Sequence, residues 1–209
     1  MDLTDAQKRA LGVALNEATL LGMELDTRRR RVGATFAVLT LPPSGGPGPD
    51  DPRVQFLFDP VGRVVSSLRE GRSNHASARV VEMQPDDLLG VVQSFGGMAI
   101  YGKEFFDITK PDMTTWGNRL SLDWRSGPDG TAYSVRVFQD AAERHLEIRV
   151  WFDAFVIRDA TGRELSIAEF TEGGKRWWDA FYANDPRTGG HGLFPLAKQP
   201  RPKPWWKFW

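Results

Sequence analysis

The chain has 209 residues, no cysteine, and 27 basic against 27 acidic side chains. Disulfides, thiolate metal sites and cysteine nucleophiles are excluded, and a net charge of zero supplies no general pull toward nucleic acid or anionic lipid. With 41% hydrophobic and 26% charged residues, the composition is that of a globular chain long enough to bury a core.

The N-terminus, MDLTDAQKRALG, is acidic at once and lacks the basic and then apolar regions of a signal peptide. No run approaches the roughly 18 apolar residues that span a bilayer. A cytoplasmic location is expected.

Residues 4–21 read as a helix. Thr4 and Gln7 have capping-box spacing, Ala10, Val13, Ala14 and Leu21 recur at helical intervals, and Gly22 is a natural stop. Residues 23–41 read as a hairpin whose turn is the basic run Arg28, Arg29, Arg30 and Arg31. Val32, Ala34, Phe36 and Val38 share one face of its second strand, while Ala37 and Leu39 make the other face apolar too.

The stretch PPSGGPGPDDPR, 42–53, is the clearest loop, because its prolines and glycines sustain neither ladder nor helix. Strands are predicted over 54–58, 62–69 and 78–84. A short helix follows over 85–95, with Pro85 in its first turn and Gly96 and Gly97 closing it. Beyond an unassigned stretch, 119–126 and 131–139 alternate cleanly on either side of GPDG and predict a hairpin. Residues 145–159 predict a long third strand, bent near Asp153.

The last helix, 167–183, is the most fully specified element. Ser166 and Glu169 form a capping box, and Leu165 and Phe170 a hydrophobic staple. Phe170, Gly174, Trp177, Trp178 and Phe181 lie on one face, with Gly174 suggesting close approach to the sheet. The expected class is α+β: a mainly antiparallel sheet with an N-terminal helix, a short central helix and a packed C-terminal aromatic helix. One globular domain over 1–197 is expected, with a division near 97 as the alternative.

No phosphate-binding loop, nucleophile elbow or histidine pair with metal-ligand spacing occurs, so neither cofactor nor metal is assigned. The weak catalytic candidates are His191, Asp185 and Arg187 in the glycine-rich loop 184–192, where an imidazole beside an acid and a guanidinium has acid–base or anion-binding chemistry. His75 and His145 carry no such context. If the strands after residue 119 are neighbours, Ser121, Asp123 and Arg125, Ser134 and Arg136, and His145, Glu147, Arg149, Trp151 and Asp153 place opposed acids and arginines on one sheet face. Cross-strand pairs on a solvated face are the simpler expectation.

The chain ends PRPKPWWKFW. Lys198, Arg201, Lys203 and Lys207 have no acid among them, and Pro200, Pro202 and Pro204 alternate into a polyproline-like stem. Trp205, Trp206, Phe208 and Trp209 stand at its tip. Segment 198–209 is therefore read as a tail that docks on a protein partner, or packs on its own domain or on a second copy. A membrane surface is a weaker alternative, and nucleic acid is not favoured despite the four arginines at 28–31. The preferred function is a non-enzymatic binding or adaptor protein. The alternatives are a small-ligand enzyme or anion binder using the 184–192 loop, and a peripheral membrane-surface protein.

Overall fold

The computed structural model describes residues 2–71, 78–100, 106–107 and 117–189. In chain order these form α1 (Asp5–Leu15), β1 (Thr19–Asp26), β2 (Arg31–Ala37), β3 (Arg53–Phe58), β4 (Val61–Glu70), β5 (Arg79–Val80) and α2 (Leu88–Gln93). Then come β6 (Phe106–Asp107), β7 (Leu122–Arg125), β8 (Tyr133–Asp140), β9 (Arg144–Phe152), β10 (Phe155–Asp159), β11 (Glu164–Leu165) and α3 (Ile167–Tyr182). The class is α+β with two antiparallel sheets and the three helices expected.

Helix α1 begins at its capping box: Thr4 Oγ1 accepts from Gln7 N at 3.2 Å while Gln7 Oε1 accepts from Thr4 N at 2.9 Å. It ends well before residue 21. Asn16 caps it, Glu17 takes a left-handed φ of 61°, and Thr19 opens β1. The apolar stretch 18–21 suits either period, and burial of Ala18 and Leu20 in the core decides for the strand. Gly22 is not a helix stop; it lies within β1 beside a register shift.

One sheet runs β1-β2-β3-β10-β11. The other runs β5-β4-β9-β8-β6, with β7 pairing β4 as well. The chain passes between sheets twice, from β3 into β4 and from β9 into β10. The predicted long strand 145–159 is therefore two strands, and its bend near Asp153 is the change of sheet.

The predicted hairpin of 119–126 with 131–139 does not form. Strand β7 pairs with β4 and β8 pairs with β9, so β4 and β9 separate the two. The GPDG turn carries the chain across the ends of those two strands. Gly62 N donates to Gly130 O at 2.9 Å, and a Cβ on Gly62 would stand 2.3 Å from Asp129 O, so backbone crosses backbone with no room for a side chain. The Asp153 carboxylate fixes this crossing by accepting from the N–H groups of Gly130, Thr131 and Ala132 at 2.9–3.1 Å.

A single apolar cluster draws on both sheets, α1 and α2, and on residues either side of position 97. Its centre is aromatic: Phe56 meets Phe36 edge-on at 5.7 Å and Phe170 at 5.3 Å, and Phe58 lies 4.6 Å from Phe152. Phe170 thus seats the first half of α3 on the sheet. The second half packs on α1, where Trp178 Nε1 donates to Val13 O at 3.1 Å. The close approach of Gly174 is to α1 rather than to the sheet, since its Cβ would stand 2.7 Å from Ala14 Cα.

Candidate functional site

A large concave feature lies between the proline-rich loop after β2 and the first half of α3. It encloses about 960 Å³, near the upper end of the roughly 300–1,000 Å³ usual for ligand sites. Its floor is Val38, Val54 and Phe170, and Pro42, Pro43, Pro47, Pro49 and Pro52 supply much of one wall. The opposite wall is Leu165 of β11 and the first half of α3, from Ala168 to Glu172 and Arg176.

Residues 38–41 are tied to the helix and hold the walls apart. Leu41 N donates to Gly173 O at 3.2 Å, and Arg176 Nε donates to Leu41 O at 2.9 Å. Pro52 O accepts from Val38 N at 3.1 Å and closes the loop at its base. The rim is charged but largely paired within itself. Arg53 binds Asp51 through two nitrogens at 2.8 and 2.6 Å. Arg163 joins Asp159 and Glu169, each at 3.1 Å.

These pairs hold the rim acids ionised. The Asp51 carboxyl lies below its ordinary range because Arg53 donates to it. Asp159 is lowered first by the Thr161 hydroxyl, and Glu169 first by the Ser166 backbone within the capping box. Glu172, like Asp51 and Glu169, is exposed on the cleft's rim. With four carboxylates and three guanidiniums around it, the cleft has a nearly balanced rim, and its apolar lining suits a ligand with flat apolar groups.

Asp185 and Arg187 are brought together at the end of α3. Asp185 Oδ1 accepts from Arg187 N at 3.0 Å and caps a 3-10 turn, Pro186–Thr188. The guanidinium returns to the same carboxylate through Nη2 at 2.6 Å and donates through Nη1 to Gly45 O at 2.7 Å. Those donated bonds press the Asp185 carboxyl down to about 2. The two groups therefore form a clamp that fastens the chain after α3 to the proline-rich loop. His191 and His75 lie outside the described residues, as do Trp205, Trp206, Phe208, Trp209, Lys203 and Lys207.

The chain matches no protein-family model, and neither a curated protein nor a solved structure is similar to it. No metal-ligating cluster occurs among the described residues, and none of their helices is long and apolar enough to cross a membrane.

The opposed charges on the second sheet do share a face, and β4 adds Arg63, Ser67 and Arg69 to it. It is the solvated face expected from sequence only in part: the Arg125 and Arg136 side chains are 63% and 44% exposed, whereas Arg69, His145 and Arg149 are 4–6% exposed. Asp123 accepts from Arg63 at 2.8 Å and from Arg125 at 2.9 Å, and Arg136 pairs with Glu147. Burial pushes the Asp123 carboxyl up, but the two arginines outweigh it and hold it below its ordinary range. Arg63 and Arg149 lie 5.4 and 5.9 Å from the Trp151 ring. Asp153 is not part of this face; it serves the GPDG crossing.

The basic turn is likewise spent on structure. Arg29 pairs with Asp26, Arg30 with Asp129 and Arg31 with Asp59, at 3.6, 2.8 and 2.5 Å. Sequence reading missed the cleft. The available signal was the density of prolines in 42–53, which reads as a breaker until a facing wall is known.

Proposed function

We propose that this is a non-enzymatic binding protein of the cytoplasm that docks on a protein partner through its basic, aromatic segment 198–209. The observation that carries the reading is the Asp185–Arg187 clamp, which fixes the point where the chain leaves α3. A display segment works best from a fixed origin, because a set start narrows the volume its tip must search. Beyond that origin stand three alternating prolines, four cations and the aromatic tip Trp205, Trp206, Phe208 and Trp209. Tryptophan is a favoured anchor of binding hot spots, and a polyproline stem loses little entropy on binding. Asp185 and Arg187 satisfy one another, which favours anchoring over ligand chemistry for their loop.

A pull-down from native lysate tests this by comparing the full chain with the Trp205→Ala/Trp206→Ala double variant. Hot-spot anchors are each worth about 2 kcal/mol or more, so partner retention should fall at least about tenfold. Equal retention by both baits would overturn the reading. Capture of a lipid fraction instead of a protein would support the membrane-surface alternative.

A further inference from the structure

We propose that the cleft between the proline-rich loop and α3 binds a small molecule with a flat apolar body and a single carboxylate, and that Arg176 receives the carboxylate. The site does not depend on segment 198–209, so it stands or falls apart from the docking role.

The first support comes from the rim charges taken pair by pair. Arg53 is bound to Asp51, and Arg163 is shared by Asp159 and Glu169. Arg176 differs. It is half-buried, it donates through Nε to Leu41 O at 2.9 Å, and its Nη1 and Nη2 make no hydrogen bond or ion pair with a described residue. A guanidinium held by Nε keeps its far edge open: two parallel N–H groups, the fork that grips a carboxylate. Glu172, one turn earlier on α3, is exposed and makes no ion pair with Arg176, whose Nε stays on Leu41 O. The same rim limits the ligand's charge. Four carboxylates against three guanidiniums leave it slightly negative, which admits one anionic group at Arg176 and repels a second.

The second support is that the walls are fixed in the free protein. The loop is tied by Val38 N to Pro52 O at 3.1 Å, by Leu41 N to Gly173 O at 3.2 Å, and by Arg187 Nη1 to Gly45 O at 2.7 Å. Gly173 permits the middle tie, since a Cβ there would stand 2.4 Å from Thr40 Oγ1. Ligand sites are usually preformed in this way. The third support is the lining. Prolines of the loop and Phe170 bound a space of about 960 Å³, room for a drug-sized body. Proline rings and aromatic faces pack together in peptide recognition; here the prolines belong to the protein and the flat rings to the ligand.

The test uses the purified full chain and three probes of one shape, 2-naphthoate, 2-naphthamide and 2-naphthylmethylammonium, followed by amide shifts in NMR titrations. 2-Naphthoate should shift residues of 38–54 and 165–176 and bind about tenfold or more tightly than the amide, the size expected of hydrogen bonds to a charged group. The ammonium should bind no better than the amide, and the preference for the acid should shrink as salt is added. Arg176→Gln should abolish that preference while the amide keeps its affinity. Ala168→Trp, which fills the cleft from an exposed helix position, should weaken acid and amide alike.

No shift with any probe, shifts confined to another part of the body, or equal affinity for acid and amide would overturn the proposal. So would tighter binding of the ammonium, or a preference that survives Arg176→Gln. Should Arg176→Gln not fold, the parent chain still decides, through the preference itself and its response to salt.

Discussion

Gly174 of α3 meets Ala14 of α1 with no space between the backbones: a Cβ at 174 would stand 2.7 Å from Ala14 Cα and 2.8 Å from Ala14 Cβ. Alanine is the better helix former by about 1 kcal/mol, yet here its methyl group must drive two helices apart. Overpacking of this kind costs about 1–3 kcal/mol, so Gly174→Ala should lower stability despite its helix propensity. Gly90 in α2 is the counter-case, with nothing within 4 Å of its Cβ position. Gly90→Ala should raise stability by about 0.5–1 kcal/mol. Urea midpoints at constant slope check both signs.

The clamp at Asp185 has a definite pH window. Its carboxyl sits at about 2 in the folded chain against an ordinary 3.8. A depressed carboxylate contributes its full share above the unfolded value and loses it as pH falls through the folded one. The clamp is thus intact above about pH 4 and opens between there and pH 2. An NMR titration of the Asp185 carboxyl should show a midpoint near 2, moving up toward 3.8 in Arg187→Ala. A midpoint unmoved by that substitution would remove Arg187 as the cause.

His145 should produce a slope at milder acidity. Burial pushes its imidazole below the ordinary 6.5, and Arg69 pushes in the same direction. Asp140, opposite on β8, and Glu147, two residues along β9, oppose the shift without cancelling it. The unfolded chain therefore binds the proton first, so the contribution is complete above pH 6.5 and declines below it. His145→Gln removes the titrating group, and its stability should fall less steeply between pH 6.5 and 5 than that of the parent chain.

Signals complete within a few residues were legible in the sequence. Both capping boxes, at Thr4 with Gln7 and at Ser166 with Glu169, appear where their spacing placed them. The face of α3 was legible for the same reason, since Phe170, Trp177, Trp178 and Phe181 recur at helical period and are all buried. What could not be read was the partner of each strand. GPDG has the composition of a hairpin turn, but whether β7 meets β8 or β4 depends on Gly62, more than sixty residues upstream of Gly130. The cleft was hidden for a related reason. One wall is a loop and the other the outward side of a helix, so neither carries a periodic signature.

Asp123 gives the sharpest test of the charged sheet face. It accepts from Arg63 at 2.8 and 2.9 Å and from Arg125 at 3.2 and 2.9 Å, while Arg63 also lies over Trp151. Asp123→Asn keeps the shape but removes the charge, leaving two arginines opposed across one neutral amide. Hydrogen bonds to charged groups are worth about 1.5–3 kcal/mol. The exposure of Arg125, 63% at its side chain, brings screening that places the loss toward the low end. Salt separates the causes. If Asp123 acts by holding the arginines together, added salt should recover part of the Asp123→Asn loss by screening their repulsion. A loss that stays constant from low to high ionic strength would mean that the carboxylate matters for packing, and that the arginines do not repel at this distance.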